Sequence, residues 1–181
     1  MKTPLIAPEI VQKAAKIKLI VLDNDGVFTD GRVYISNLGS ESKAFDIRDG
    51  FGVVMARKLG IQFAIITGLL TPIVEYRAKQ LGIDELRQGF TNKLDQMKEI
   101  IAKFGLDPQQ VAYMGDDLFD LPVMRYVGLG AAPADAYLLV KEGADWVSEY
   151  AGGQGAVREL IDLIIQARGE WEWVLKTFTG E

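Results

Sequence analysis

The chain has 181 residues and a formal net charge of -5, with 49% hydrophobic and 25% charged residues. This composition predicts one globular domain with a real core, and an acidic chain without clustered basic residues is a poor nucleic-acid binder. The sequence contains neither cysteine nor histidine, which excludes disulfides, thiolate nucleophiles, Ser-His-Asp triads and His-ligated zinc. Any catalysis must therefore use carboxylates, hydroxyls, amines, guanidinium groups and a hard cation.

The beginning of the chain carries no recognisable targeting signal. Residues 1–10 include Lys2, Pro4 and Pro8 and lack an apolar stretch of secretory length. No apolar run in the sequence approaches the length that a membrane span needs. We therefore expect a soluble cytoplasmic protein that binds neither membranes nor nucleic acid.

Short apolar segments that alternate with helical patterns predict an α/β fold with a doubly wound, mainly parallel sheet. The predicted strands, in chain order, cover residues 17–22, 61–66, 111–114, 128–132 and 145–147. Helical patterns cover residues 72–82, 92–105 and 157–169, with Asn92 as a candidate N-cap.

One segment interrupts this alternation directly after the first core strand. Residues 32–35 and 41–47 are predicted strands joined by a polar turn, which indicates a β-hairpin flap of about residues 31–47. The Gly-Phe-Gly sequence at residues 50–52 is interpreted as a turn. A tail of about residues 170–181 is rich in large apolar side chains. Without a repeat or linker, residues 1–181 are predicted to form a single domain.

Carboxylates collect where two of the predicted strands end. Asp23 and Asp25 follow the first strand and point the same way, because side chains alternate along a strand. The third strand is followed by Asp116, Asp117 and Asp120. Both strand ends face one crevice at the carboxyl edge of a parallel sheet, where ligands bind. The mutual repulsion of these groups and their all-oxygen donor set indicate a hard divalent cation, most simply Mg²⁺.

A cradle for a phosphoryl group is predicted at the same edge. Thr67 and Gly68 end the second strand with a hydroxyl and a backbone amide, and Lys93 starts a helix nearby. Together with Mg²⁺ these groups suit a phosphoryl group, which a carboxylate nucleophile can accept. Each motif alone is more often a turn, a strand end or a surface residue. The functional interpretation depends on their shared position and their order.

The order Asp23-x-Asp25-Gly26, Thr67-Gly68, Lys93 and Gly115-Asp116-Asp117-x-x-Asp120 resembles the haloacid dehalogenase-like (HAD) phosphatases, over nearly the whole chain. Four further segments narrow the resemblance: DGVFTDG at 25–31, KAF at 43–45, RDG at 48–50 and AGGQGAVRE at 151–159. They are similar to the phosphatases of 3-deoxy-D-manno-octulosonate 8-phosphate and of related nonulosonate phosphates. The implied activity is hydrolysis of the octulosonate phosphate to the free sugar acid and phosphate, in lipopolysaccharide precursor synthesis.

The resemblance also implies a role for each matching residue. Asp23 matches the nucleophile, which forms an aspartyl-phosphate, and Asp25 matches the general acid that protonates the leaving oxygen and then activates water. The implied phosphate-binding residues are Thr67, Gly68 and Lys93. The implied Mg²⁺ ligands are Asp23, the backbone carbonyl of Asp25 and Asp116, with Asp117 and Asp120 behind them.

The small members of this family lack a cap domain, and the interval between Asp25 and Thr67 is too short for one. They assemble as homotetramers in which a neighbour's flap helps to cover each site, so flap contacts between subunits are implied here. The large apolar side chains of the tail are expected to pack on a neighbouring subunit or near a site, and the alternative is packing on the chain's own core. An eight-carbon keto-acid phosphate holds its carboxylate far from its phosphate, which requires a second basic group. Candidate substrate-binding residues are Lys43, Arg48, Asp49, Arg77 and Arg158. The alternative interpretation of Arg77 is that it lies on the solvated face of a helix and does not bind substrate. Arg158 could reach the site of a neighbouring subunit.

One position departs from the family pattern. After the Thr-Gly pair the octulosonate enzymes usually carry arginine and the related nonulosonate enzymes glutamate, whereas this chain has Leu69. Either another residue replaces that polar contact, or the substrate is a related nonulosonate 9-phosphate. A non-catalytic subunit of the same fold is another alternative, against which the intact set of site residues argues. A receiver domain is set aside because it needs its adjacent acidic pair at the first strand.

Overall fold

The computed structural model describes residues 6–180, so the expectations for residues 1–5 and for Glu181 at the end of the tail lie outside the described residues. The strands are β1 (Leu19–Leu22), β2 (Tyr34–Ile35), β3 (Glu41–Ser42), β4 (Gln62–Thr67), β5 (Glu85–Gln88), β6 (Val111–Met114), β7 (Leu129–Ala132) and β8 (Trp146–Val147). The helices are α1 (Pro8–Ala14), α2 (Ile47–Lys58), α3 (Pro72–Leu81), α4 (Lys93–Phe104), α5 (Leu121–Met124), α6 (Leu138–Gly143), α7 (Ala156–Ala167) and α8 (Trp171–Phe178).

Six of the strands form one parallel sheet in the order β5-β4-β1-β6-β7-β8. Alternate residues of the central strand β1 serve two separate cores: Ile20 and Leu22 join one, and Leu19 and Val21 join the other. The first core includes residues of α2, α3 and α7, and the second includes residues of α4, α5 and α6. The predicted doubly wound α/β sheet is therefore confirmed. In residues 6–180 no helix combines the length and the apolar character that crossing a membrane requires.

The sequence pattern does not predict the strand β5. Its four residues, ELRQ, lack the β-branched or aromatic pattern of a strand, and three of them are only partly buried. It lies at the end of the sheet order and pairs in parallel with β4, from Ala64 with Glu85 to Thr67 with Gln88. Pairing with a buried neighbour, rather than local propensity, makes this edge segment a strand.

The hairpin flap follows β1 as predicted, but it is shorter than expected. β2 and β3 pair in antiparallel fashion over two residues each, and residues 31–42 are exposed throughout. The expected extension of the flap to residue 47 and the turn at residues 50–52 are wrong, because α2 begins at Ile47. Its N-cap Asp46 accepts the backbone N–H of Arg48 at 2.6 Å.

The glycines that suggested a turn serve helix packing instead. A Cβ on Gly50 would lie 2.3 Å from Nη2 of Arg77, and one on Gly52 would lie 3.0 Å from Cδ of Arg158. Both glycines thus lie inside α2 and let it approach the side chains of α3 and α7 closely.

The tail, for which no helix was predicted, contains α8 and packs on its own chain. Val174 is buried in the first core, and Trp171 and Phe178 pack against that core. The rings of Phe178 and Phe51 meet edge to face with centroids 5.1 Å apart. This helix therefore covers α2, which carries Phe51.

Candidate active site

The carboxylate of Asp23 lies at the carboxyl end of β1 and is almost completely buried. Its Oδ1 accepts the backbone N–H of Asn24 at 2.7 Å, and its Oδ2 lies 2.9 Å from Nζ of Lys93. Burial and the charge of Asp120 raise the pKa of Asp23 to about 6, against the opposing effect of Lys93. The crevice therefore contains a desolvated carboxylate beside one buried ammonium group.

A tight turn after β1 brings Asp25 into the same crevice. The Asn24 carbonyl accepts the backbone N–H groups of Phe28 and Thr29, both at 2.9 Å, so the chain reverses at once. The Asn24 side-chain amide donates to Oδ1 of Asp25 at 3.1 Å. Nζ of Lys43, whose side chain is buried at the base of the flap, also contacts Oδ1 of Asp25. Asp25 is thus held by its own turn and by the flap.

Only glycine fits at position 26. Gly26 has a φ of +89°, and a Cβ there would lie 2.1 Å from Oδ2 of Asp116. The Asp116 carboxylate therefore lies against the backbone that directly follows Asp25. This close approach joins the loop after β6 to the turn after β1.

Asp120 organises the loop after β6. Its Oδ1 accepts hydrogen bonds from Nζ of Lys93 at 2.7 Å and from the hydroxyl of Tyr113 at 2.6 Å. Its Oδ2 accepts the backbone N–H groups of Asp116 and Asp117 at 2.9 and 3.1 Å. Both of its oxygens are thus engaged by the protein, which makes Asp120 a support for Lys93 and for the Asp116 backbone.

The charge of Lys93 is maintained in this buried site. Burial lowers its pKa, but the attraction of Asp23 and Asp120 is stronger, so the pKa of Lys93 is raised overall. The Asp117 side chain turns to the adjacent backbone instead, where its Oδ1 accepts the N–H of Leu118 at 2.7 Å. Asp117 is exposed at the edge of the crevice.

The carboxylates fit a divalent cation. Single oxygens of Asp23, Asp116 and Asp120 all lie within 4.8 Å of one another. Oδ1 of Asp116 is buried and has no hydrogen-bond partner among the described residues. Burial, followed by the charges of Asp23 and Asp120, raises the pKa of Asp116 to about 8. A hard cation held by Asp23 and Asp116 would offset this repulsion, and the all-oxygen donor set suits Mg²⁺.

These groups border one pocket of about 350 Å³. It is lined by Asp23, Asp25, Thr67, Gly68, Leu69, Phe90, Thr91, Lys93, Asp116, Asp117 and Phe119. The structure therefore brings together the residues predicted for catalysis, phosphate binding and metal binding, with Asp120 buried behind them. Phe90, Thr91 and Phe119 were missed. The first two follow the unpredicted strand β5, and a prediction of that strand would have placed them at the carboxyl edge.

The predicted substrate-binding residues lie outside this pocket. Lys43 reaches it only through Asp25, and Arg77 stacks on the ring of Phe45 at 5.5 Å, in a neighbouring groove. Arg48 and Arg158 line a different cavity of about 680 Å³, beside α1 and α7. The Asp49 side chain is fully buried. A single chain thus does not bring these residues to the phosphate-binding groups.

Comparisons with known proteins agree with this geometry. The model of the haloacid dehalogenase-like hydrolase family matches residues 62–160. The chain is 47% identical over 165 residues to the 3-deoxy-D-manno-octulosonate 8-phosphate phosphatase of Salmonella typhimurium. The aligned region covers 91% of this chain and 88% of that protein.

Solved structures extend the similarity to the fold. The Yersinia pestis 3-deoxy-D-manno-octulosonate 8-phosphate phosphatase superposes with a TM-score of 0.91 at 46% identity, covering 92% of this chain and 90% of that chain. The Moraxella catarrhalis 3-deoxy-D-manno-octulosonate 8-phosphate phosphatase was solved in complex with a magnesium ion, a phosphate ion and a KDO molecule. It superposes with a TM-score of 0.93 at 38% identity, and the match covers 96% of this chain and 99% of that chain. The chain therefore belongs to the haloacid dehalogenase-like hydrolases and, within them, to the family of 3-deoxy-D-manno-octulosonate 8-phosphate phosphatases.

Proposed function

We propose that this chain is a Mg²⁺-dependent phosphomonoesterase that hydrolyses 3-deoxy-D-manno-octulosonate 8-phosphate to the free sugar acid and inorganic phosphate. The reaction belongs to lipopolysaccharide precursor synthesis. The observation that supports the proposal most directly is the buried cluster of Asp23, Lys93 and Asp116 at the carboxyl edge of the sheet. The similarity to enzymes named for this substrate supports the choice of sugar.

In the first half-reaction, a carboxylate oxygen of Asp23 attacks the phosphorus atom. A bond forms between this oxygen and phosphorus while the bond between phosphorus and the sugar oxygen breaks. Asp25, in its protonated form, gives its proton to the departing oxygen, so the sugar leaves as an alcohol. Lys93, which is 2.9 Å from Asp23, orients the nucleophile and attracts the phosphoryl oxygens.

In the second half-reaction, water attacks the phosphorus atom of the aspartyl-phosphate. Asp25, now a carboxylate, takes a proton from that water while the bond between phosphorus and Asp23 breaks. Inorganic phosphate leaves and both aspartates return to their starting states. The Thr67 hydroxyl and the Gly68 backbone, which line the pocket beside them, bind the phosphoryl oxygens in both steps.

Asp23 and Asp116 are the carboxylates that would hold Mg²⁺, together with the backbone carbonyl of Asp25. The bound cation supplies charge neutralisation for the nucleophile and the phosphoryl oxygens. Asp120 acts behind them, since its two oxygens are taken by Lys93, Tyr113 and two backbone N–H groups. Asp117 stays a predicted outer partner of the cation.

Several parts of the proposal concern the assembly. The homotetramer, with flap and tail contacts between subunits, and the cytoplasmic location stay predictions. So does substrate binding by Lys43, Arg48, Arg77 and Arg158, which requires a neighbouring subunit for the residues that lie away from the pocket. Lys43 and Arg77 border one groove beside the flap, which is a suitable surface for such a contact.

The test is phosphate release from a panel of acidic sugar phosphates, with wild type and Asp23→Asn in parallel. We expect the octulosonate 8-phosphate to have the highest kcat/KM, and Asp23→Asn to abolish turnover because an amide is neither a nucleophile nor a good Mg²⁺ ligand. Chelator should remove activity, and Ca²⁺ should inhibit because its looser coordination misplaces the nucleophile.

The outcomes distinguish the alternatives. Preference for a nonulosonate 9-phosphate would identify the related phosphatase, which Leu69 leaves open. Absence of phosphate release from every substrate with Mg²⁺ would identify a non-catalytic subunit. Full activity in chelator, or substantial activity of Asp23→Asn, would contradict the mechanism itself.

A further inference from the structure

Residues 151–155 form a glycine-rich loop between β8 and α7, which we name the backing loop. It presses on the turn that carries Asp25. A Cβ on Gly152 would lie 1.8 Å from the carbonyl oxygen of Gly26, and one on Gly153 would lie 2.4 Å from the backbone N of Asp30. The backbone N–H of Gly153 also donates to the carbonyl of Val27 at 3.0 Å. Backbone thus packs directly on backbone, one residue beyond Asp25.

Side chains from other elements hold the backing loop in this position. Oδ1 of Asp135 accepts the backbone N–H of Gly152 at 2.9 Å. Nη2 of Arg48 donates to the carbonyl of Gln154 at 2.8 Å. Oδ1 of Asp49 accepts the backbone N–H of Arg158 at 2.8 Å, in the first turn of α7. Because α7 begins directly after the loop, Asp49 determines where the loop ends.

Asp49 is the buried member of this set. Its side chain has no exposed surface, while the Arg48 side chain is 61% exposed. A hydrogen bond to a buried carboxylate has no competition from water, so the bond between Asp49 and the Arg158 amide restrains the loop more firmly. This burial also separates Asp49 from any molecule in the pocket.

We propose that Asp49 is a positioning residue for the general acid, and that it acts on Asp25 through the first turn of α7 and the backing loop. The proposal rests on the proposed function, in which Asp25 protonates the leaving oxygen. Asp25 is held on its other side by Lys43 and by the Asn24 amide. The turn that carries it therefore lies between the base of the flap and the backing loop, and loss of either support shifts the acid.

A displaced general acid has a specific kinetic signature. An alkyl phosphate, such as the sugar phosphate, needs its leaving oxygen protonated, whereas p-nitrophenyl phosphate has a leaving group that needs little protonation. The ratio of kcat/KM on the sugar phosphate to kcat/KM on p-nitrophenyl phosphate therefore reports the position of Asp25. Hydrolysis of the aspartyl-phosphate, in which Asp25 acts as the base for both substrates, does not enter kcat/KM. Both rates are measured on the same sample, so this ratio does not depend on the folded fraction.

The experiment compares Asp49→Ala, Asp49→Ser and Asp49→Asn in the full chain. Asp49→Ala removes the acceptor and should lower the ratio about tenfold, since a misplacement of the order of 1 Å costs up to about a hundredfold. Asp49→Ser ends one bond short of the Arg158 amide and should lower the ratio less. Asp49→Asn keeps an oxygen at the same place and should restore a ratio close to wild type.

Asp107→Ala is the matched control. Asp107 also caps a backbone N–H, that of Gln109 at 2.8 Å, but it precedes β6 and so lies at the opposite edge of the sheet. We expect it to leave the ratio unchanged. A wild-type ratio in Asp49→Ala and Asp49→Ser, or an Asn variant with a ratio as low as that of Ala, would overturn the positioning role.

The same measurements distinguish failure of the proposed phosphatase function from failure of the role of Asp49. If wild type hydrolyses neither substrate, the proposed phosphatase function fails. If Asp25→Asn loses kcat/KM equally on both substrates, the assignment of the general acid fails. If wild type and Asp107→Ala hydrolyse both substrates and Asp49→Ala keeps their ratio, only the role of Asp49 fails.

Discussion

The buried hydroxyl of Tyr113 contacts the carboxylate cluster without lining the pocket. It donates to Oδ1 of Asp120 at 2.6 Å, and the same oxygen accepts a hydrogen bond from Lys93. Burial, with the charges of Asp120 and Asp23, raises the pKa of Tyr113 well above its usual value, so the hydroxyl stays a donor. At the residue scale, Lys93 is therefore oriented by a carboxylate that is itself oriented by a phenol.

Tyr113→Phe should weaken both the fold and catalysis. Loss of a buried hydrogen bond to a charged group costs roughly 1.5–3 kcal/mol of unfolding free energy. We also expect a lower kcat on p-nitrophenyl phosphate, because Asp120 would hold Lys93 less firmly. Urea unfolding and kcat measure the two effects, and Tyr126→Phe, whose ring lies 5.9 Å from Nζ of Lys98, is the control. A kcat equal to that of wild type would contradict the coupling between Tyr113 and Lys93.

Leu69 borders the pocket beside Thr67 and Gly68 and is 52% exposed. Leucine cannot bond a sugar hydroxyl or carboxylate, and such a missing contact costs on the order of 0.5–3 kcal/mol. Leu69→Arg should therefore raise kcat/KM on the octulosonate phosphate and leave hydrolysis of an aryl phosphate nearly unchanged. If the variant is no better on that sugar while wild type hydrolyses it efficiently, Leu69 is a neutral substitution.

Burial of Asp49 should make stability depend on pH. Desolvation raises its pKa to about 6, assisted by Asp46 and opposed by the backbone N–H groups of Arg158 and Gly155 and by Arg48. Since the folded state holds this proton more tightly, the stabilisation is present at low pH and is lost as pH rises through about 6. Between acidic and neutral pH, the free energy of unfolding of Asp49→Asn should therefore rise by on the order of 3 kcal/mol relative to that of wild type. Urea unfolding at several pH values measures the difference. An equal dependence of the unfolding free energy on pH in wild type and Asp49→Asn would contradict the prediction.

At the scale of elements, the flap and α8 are both attached to the body of the chain by aromatic side chains. Phe45 at the base of the flap meets Phe28 edge to face with centroids 5.7 Å apart, and Thr29 and Phe45 form an isolated bridge. The ladder of the flap has only two residue pairs, too few for a hairpin to be stable alone. Its base is therefore ordered by packing, and contact of its exposed part with a neighbouring subunit stays a prediction.

Phe178→Ala tests the attachment of α8. The variant loses the ring contact with Phe51, and because Phe178 is only partly buried we expect a cost of roughly 1–2 kcal/mol, below that of a core phenylalanine. The free energy of unfolding in urea measures this loss, and Lys176→Ala on the exposed side of α8 is the control. An unfolding free energy equal to that of wild type would contradict the packing on α2.

Removal of residues 170–181 tests the predicted subunit contact by size exclusion.

For the whole molecule, the main electrostatic feature is the group of carboxylates at the carboxyl edge of the sheet. Asp23, Asp116 and Asp120 lie close together at the carboxyl edge with one lysine among them, an arrangement that repulsion destabilises. The stability of the fold and the competence of the site are thus coupled through the cation.

Mg²⁺ should therefore raise the melting temperature. A ligand that binds only the folded state at a hundred times its Kd adds about 2.7 kcal/mol. Asp116→Asn removes one of the two carboxylates that are proposed to bind the cation and should reduce this increase. Thermal unfolding with and without Mg²⁺ measures the effect, and an equal increase in wild type and Asp116→Asn would exclude Asp116 from the site.

Much of this arrangement could be predicted because it is local in the chain. The apolar runs that form β1, β4 and β6 are each followed at once by their functional residues, so the predicted sheet already placed Asp23, Thr67 and Asp116 at one edge. Turn and cap residues gave the helix bounds in the same way: Asn92 precedes α4, as predicted. Strand periodicity and the rule for parallel sheets were enough for this part of the fold and of the site.

Interactions between distant segments decided the rest. The strand β5 exists through pairing with β4, and Phe90 and Thr91 reach the pocket only because of it. Gly50 and Gly52 indicated a turn, but the close approach of α3 and α7 keeps them in a helix.

The sequence by itself determined the doubly wound sheet, the gathering of carboxylates at its carboxyl edge and the need for a hard cation, because residue type and strand order express them directly. The tertiary structure alone decided that Asp120 supports Lys93 and that Asp49 caps α7. The second bond joins residues 109 positions apart. No local pattern encodes it, because a buried carboxylate finds its partner only when two helices have packed.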